Sequence, residues 1–410
     1  MKKIIRIITI IVCIGLLIGI GFVMSRKIKK YPDKIEFCES TFVTDKGMYY
    51  SKQNRIYFLD AKTGEAVIVC NKANCKHNTQ ECNAYTYDSS PKFLCYDDKI
   101  YVAEVASKIQ LNDDDEYSYE AMVQIRELKK DGSGARVLYS ADEGSVGEMQ
   151  MIDGVLYFTA WKYHDGFKVN EYHMDWTLNA YDLRWNQMRV LKKLDADASH
   201  DNAILNIVNS IRKDKIYMQY TYVDDNESEH NEFTTYDIKN KRYELVKKLD
   251  ESTAILKVTD KLYWKKMQDE DEKSWIVLYT SDLNFDNAQE TLRMQDEDER
   301  ILDEYIFFCC TDYEKFLYRL DTGEIYLANT CFTEKGTYVP DLYAIDEENN
   351  RIYIDGHDYT GMKEGEIYYE DLSDYRVVDW TEFRDTYFTK LEDADQNTVA
   401  AFGWVKWPEE

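Results

Sequence analysis

One short pattern of polar and apolar positions recurs seven times along the chain: an Asp or Asn, a polar or small spacer, then an apolar-aromatic run. The copies are Asp45 before Met48-Tyr49-Tyr50, Asp98 before Ile100-Tyr101-Val102, Asp153 before Leu156-Tyr157-Phe158 and Asp214 before Ile216-Tyr217-Met218. They continue with Asp260 before Leu262-Tyr263-Trp264, Asp303 before Ile306-Phe307-Phe308, and Asn350 before Ile352-Tyr353-Ile354. The aromatic positions 49, 101, 157, 217, 263, 307 and 353 are spaced by 44 to 60 residues. After each comes a second strand-like run ending near an Asp, then a tight turn. Examples are Asp60 before Lys62-Thr63-Gly64, Asp182 before Asn186, Asp237 before Lys239-Asn240 and Asp321 before Thr322-Gly323. Gly and Asn supply the positive φ of hairpin turns. Each unit therefore reads as two linked hairpins, the pattern of a propeller blade.

The expected fold is all-β: a single β-propeller of about seven four-stranded blades over residues 31–384. Radial closure is preferred over an open array because it leaves only short edges exposed. Residues 385–410 form a carboxy-terminal segment, and its apolar stretch Val399 to Trp407 is read as a closing strand completing a blade with the amino-terminal strand near Phe37 to Val43.

Ahead of the repeats, Ile7 to Met24 is continuously apolar, about the ~18 residues a spanning helix needs. Residues 1–30 are thus read as an N-terminal transmembrane signal-anchor with basic flanks (Lys2, Lys3, Arg6; Arg26, Lys27, Lys29, Lys30). No small-x-small cleavage site precedes Arg26, and Cys13 follows Ile10-Ile11-Val12, unlike a lipobox. Basic residues on both sides make the positive-inside rule nearly silent. The eight cysteines beyond the helix suit an oxidising compartment, and an amino-terminal anchor normally translocates the chain after it. The expected location is the cell membrane, single-pass, with the propeller extracytoplasmic.

The formal charge is −26, from 51 Lys plus Arg against 77 Asp plus Glu. The amino-terminal segment is basic, so the body is more acidic still. That excludes a nucleic-acid partner, which needs a basic surface to displace counterions. In a four-stranded blade, the loop between second and third strands and the link to the next blade share one face. The second-to-third loops are long and carry acidic tips at Asn112 to Glu116, Asp224 to His230 and Gln268 to Lys273. Function usually sits on such loops.

The most specific local phrase is Cys70-Asn-Lys-Ala-Asn-Cys75-Lys-His77-Asn-Thr-Gln-Glu-Cys82-Asn-Ala-Tyr85, in the predicted link between blades one and two. Cys70, Cys75 and Cys82 are structural or disulfide candidates; alternatively Cys70, Cys75, His77 and Cys82 make a Cys₃His zinc site, the one cofactor the chain suggests. The phrase, after an amino-terminal anchor and before Tyr-rich repeats, resembles a membrane-anchored or lipoprotein β-propeller-like family of Gram-positive anaerobic bacteria. This resemblance implies the anchored propeller but no activity or catalytic residue. The absence of a lipobox departs from the lipoprotein members.

A second candidate is the aromatic hairpin Trp161, Tyr163, His164, Tyr172 and Trp176, whose rings suit stacking on a sugar or peptide, or simply cross-strand pairing. Cys309-Cys310 lie side by side on a predicted strand and face opposite ways. No acidic tip matches a calcium loop; Asp393 to Asn397 comes nearest. No catalytic motif appears. The functional reading is a non-enzymatic binding or scaffold module for a peptide, glycan or protein partner; the alternative is a propeller hydrolase or lyase acting on extracellular polysaccharide, whose carboxylates would converge from distant blades.

Overall fold

The computed structural model describes residues 32–406 apart from 89, 112–116, 164–173, 195–200, 225, 271–272, 296–297, 310–314, 329–339, 356–374, 397–398, 400–401 and 403–404. The chain is an all-β seven-bladed propeller: seven antiparallel sheets follow one another in sequence order. Each recurring aromatic sits on the second strand of its blade, and all seven rings (Tyr49, Tyr101, Tyr157, Tyr217, Tyr263, Phe307, Tyr353) are buried. The repeat is therefore a burial repeat. Each ring leaves water against the neighbouring sheet, and burying such a side chain contributes roughly 1.5–3 kcal/mol.

The aspartates have their own role. At the turns between third and fourth strands, Asp60 Oδ1 accepts from the backbone N–H of Lys62 and Thr63 at 2.8 and 2.9 Å. Asp182 does the same for Arg184 (2.9 Å) and Asp237 for Asn240 (2.7 Å). These side chains satisfy amides that the turn removes from the ladder. A register shift recurs between the third and fourth strands of blades two to five, at Ile125/Arg126, Leu178/Asn179, Phe233/Thr234 and Leu278/Tyr279. A bulge there adds local twist to the outer part of the blade.

Both ends of the described chain depart from the closing-strand expectation. Ile35–Phe37 pairs with Ser145–Ile152, the innermost strand of blade three, in the register Ile35↔Ile152 and Phe37↔Gln150. It continues upward through Cys38 N–H to the Met149 carbonyl at 2.9 Å and a bridge between Glu39 and Phe93 of blade two. Only then does Thr41–Thr44 begin blade one. The segment lies inside the ring, along the central channel.

At the other end, the helix Trp380–Tyr387 is capped by Asp379, which accepts from Glu382 N–H at 2.8 Å. It buries Trp380 and Phe383 beside blades six and seven. Phe388–Lys390 then adds to the outer strand of blade six, and Val405–Lys406 to the outer strand of blade five. The carboxy-terminal segment runs backward around the outside rather than joining blade one. The ring closes through side chains: Met48, Tyr50 and Leu59 of blade one pack on Ala344 and Tyr353 of blade seven. Tyr50 meets Tyr375 edge-on at 4.6 Å, and Arg351 donates to the Asp45 carbonyl at 2.8 Å. Tertiary geometry, not strand propensity, selects which sheet edges the terminal strands cover.

No helix among the described residues is long and apolar enough to cross a membrane. The apolar stretch Ile7 to Met24 lies outside those residues.

Candidate functional site

The cysteine loop occupies the link between the fourth strand of blade one (Ala66–Ile68) and the first of blade two (Lys92–Tyr96). Blade one has short strands, and its second and third strands join through Gln53 and Asn54, both at positive φ (47° and 57°). The loop folds back over that turn. Thr86 N–H reaches the Asn54 carbonyl at 3.0 Å, Ile56 N–H reaches Ala84 at 2.8 Å, and Arg55 donates to the His77 carbonyl. The result brings Cys70, Cys75, His77 and Cys82 together: their four ligand atoms all lie within 4.8 Å of one another. His77 Nδ1 stands 3.3 Å from Cys82 Sγ.

Backbone N–H groups aim at the sulfurs, those of Lys72 and Asn83 at Cys70 and that of Ala84 at Cys82. Burial pushes the Cys70 thiol up, but these donors and the adjacent Cys82 and Cys75 sulfurs outweigh it and leave it below its ordinary value. Cys82 moves the other way, pushed up to about 11 by burial and by the two neighbouring thiols. Ionising one thiol therefore opposes ionising the next. A cation among them removes that conflict, and three sulfurs with one imidazole are a donor set for zinc.

Blade two supports the loop. Arg126 donates to the carbonyl oxygens of Asn83 (2.7 Å) and Tyr85, and is paired at 2.8 Å with Glu104, both side chains being buried. Glu104 also accepts from Gln124 Nε2 at 2.6 Å and from Tyr87 N–H at 2.9 Å. Asn83 Nδ2 reaches the Gly132 carbonyl at 2.7 Å. Gly132 (φ +79°) passes so close to the loop that a Cβ there would lie 2.3 Å from the Val69 carbonyl oxygen.

The second place of interest is the channel, which holds a cavity of about 630 Å³ near the first-to-second-strand turns and one of about 500 Å³ nearer the opposite face. Glu39 lines both. Burial, with Asp303 adding repulsion and Lys257 opposing it, pushes the Glu39 carboxyl up to about 7. Burial likewise raises Asp303, despite the attraction of Lys257, whose own ammonium is buried and lies 3.9 Å from Glu304. Sequence spacing held no signal for this cluster, because residues 39, 257 and 303 come from three separate blades or links.

In the aromatic hairpin, Trp161 pairs across the ladder with Trp176, their rings 6.3 Å apart, and Tyr163 meets Trp161 edge-on at 5.2 Å. Trp176 is buried and donates to the Ala203 carbonyl at 2.5 Å, so it belongs to the packing between blades three and four. His164 and Tyr172 lie outside the described residues, as do the acidic tip 112–116, Cys310 and Cys331. The tip at Asp224 is closed on itself: the carboxylate bonds His230 Nε2 at 2.9 Å and two backbone N–H groups, which hold it down at about 2. Cys38 and Cys95 are separate buried thiols; burial lifts Cys38 to about 12.

With fold and geometry in place, the class is a β-propeller with a four-residue sulfur and imidazole cluster on one rim. No protein-family profile and no curated protein matches the chain. Among solved structures, it is similar to an oligogalacturonate lyase from Vibrio parahaemolyticus (10% identity, 90% of this chain and 93% of that one, TM-score 0.44). It is also similar to the β-propeller domain of the Trilobed protease from Pyrococcus furiosus (11%, 79% and 90%, TM-score 0.42), described as having an open velcro topology. A third is Porphyromonas gingivalis dipeptidyl peptidase 4 (8%, 81% and 50%, TM-score 0.41). These likenesses concern shape alone.

Proposed function

We propose that this protein is a membrane-tethered, extracytoplasmic propeller that acts as a non-enzymatic binding module, holding a peptide, glycan or protein partner on the face of its long second-to-third-strand loops. The observation that carries this reading is where the chain enters the ring. Pro32, Asp33 and Lys34 contact Tyr96, Lys213 and Asp153, residues at the first-to-second-strand turns of blades two, four and three. The described chain thus enters on the face opposite the long loops, and an anchor ahead of Pro32 would leave those loops pointing away from it. The threaded strand also fills part of the channel, where a catalytic propeller would gather its groups.

The test is capture by the full chain, held in detergent micelles, of ligands from a panel of envelope glycans and peptides. The expected result is retention of one class, unaltered on elution and lost when loop residues 224–230 are replaced by a short Gly-Ser turn. Release of cleaved product, or retention of nothing, overturns it.

One observation favours the hydrolase or lyase reading: Glu39, with a carboxyl near 7, stands beside a channel cavity, a poise suited to general acid–base chemistry at neutral pH. Polysaccharide turnover abolished in Glu39→Gln would establish that reading in place of the first.

A further inference from the structure

We propose that Cys70, Cys75, His77 and Cys82 bind one zinc ion in a closed, structural Cys₃His site that fastens the rim of blade one to blade two. Tetrahedral zinc with sulfur at ~2.3 Å and nitrogen at ~2.0 Å has ligand–ligand edges of about 3.5–3.8 Å. The four donor atoms already lie within 4.8 Å of one another, with His77 Nδ1 and Cys82 Sγ at 3.3 Å. A small inward adjustment of side-chain torsions completes the tetrahedron.

The surroundings match a thiolate centre. Zinc with three thiolates carries a net negative charge. The backbone N–H groups of Lys72, Asn83 and Ala84 point at two of the sulfurs, as outer donors do around metal-bound thiolates. In a chain of charge −26, the loop itself carries Lys72 and Lys76 against one carboxylate, Glu81, while Arg55 grips its backbone. This is a locally cationic setting in an acidic protein.

Asn74 and His77 both adopt positive φ, 60° and 55°, a region that Asn and His enter more readily than most residues, and these turns bring Cys75 and His77, on either side of Lys76, to the same centre. A disulfide would use two of the three sulfurs and give His77 no part.

All four positions are filled by protein, so no site remains for a substrate or an activated water. The ion's role is mechanical. Ala66–Ile68 is a three-residue outer strand, and the coordinated loop extends that edge and ties it, through Asn83, Tyr85 and Arg126, to blade two.

The experiment uses the full chain purified without added metal. Elemental analysis is expected to find one zinc per chain, and intact mass to show unoxidised loop thiols. Replacing zinc with Co²⁺ is expected to give the sulfur-to-metal charge-transfer and intense ligand-field bands of tetrahedral thiolate cobalt. Cys75→Ser should lower zinc affinity at least about hundredfold. Absence of both metal and cobalt bands, or a mass two hydrogens lower before reduction mapped to this loop, overturns the proposal, as does undiminished zinc affinity in Cys75→Ser. The cobalt spectrum of the unsubstituted chain decides the matter even if the variant fails to fold.

Discussion

Replacing Glu39 by Gln is expected to stabilise the protein above neutral pH and to have little effect below about pH 4. Glu39 has its folded carboxyl at about 7, against an ordinary 4.5. A group whose folded value is raised contributes stability that is full below the unfolded value and lost as pH rises through the folded one. The loss therefore falls between about pH 4.5 and pH 8. At about 1.4 kcal/mol per unit, the whole displacement corresponds to roughly 3 kcal/mol. Water in the two channel cavities screens part of this, so about 2 kcal/mol is the working value. Gln keeps the shape and the hydrogen-bonding capacity without the charge. For a chain of this length, 1 kcal/mol moves Tm by about 1–2 °C. The Tm of Glu39→Gln should thus exceed that of the parent by about 2–4 °C at pH 8 and match it at pH 4. The assay is thermal unfolding of both proteins at half-unit pH steps, in which carboxylates common to both cancel. Glu36 and Asp303 in the same channel are also raised by burial, and Lys257 opposes both Glu39 and Asp303; adding Asp303→Asn should therefore shrink the difference. A difference that is independent of pH, or largest at low pH, refutes the assignment of a buried charge to Glu39.

Three further substitutions test the loop supports and the outer rim. Glu104→Gln leaves the buried Arg126 guanidinium without its carboxylate partner and should cost about 3 kcal/mol, read as a lower denaturant midpoint. Gly132→Ala places a Cβ 2.3 Å from the Val69 carbonyl at φ +79°; a loss of at least about 2 kcal/mol is expected, together with weaker zinc retention. Asp379→Ala removes the helix cap and should cost about 1 kcal/mol without altering metal content, which separates the carboxy-terminal wrap from the cysteine loop.

The repeat was legible because every blade needs the same thing at the same place. Tyr49, Tyr101 and their counterparts each fill an inter-blade space, and Asp60, Asp182 and Asp237 each cap an equivalent turn. Local demands repeated seven times leave a period. The terminal strands leave none, since Ile35–Phe37 and Val405–Lys406 are two or three residues long and attach to edges far away in sequence. Their apolar character marks them as strands, but only the assembled ring determines the partner. The cysteine spacing singled out the residues that the structure brings together without choosing between disulfide and metal, because the convergence of His77 on Cys82 depends on the reversal over Gln53 and Asn54. The Glu39 cluster left no trace in spacing at all.

The threaded amino-terminal strand has a mechanical consequence. It runs antiparallel to the inner strand of blade three, so a pull toward the first-to-second-strand turns loads the ladder from Ile35 to Phe37 and the Cys38–Met149 bond together, in shear, rather than one rung at a time. Under the proposed anchoring, the ring would be held near its axis instead of at its rim; it would then experience little tilting torque and be free to turn about that axis, presenting each blade in succession.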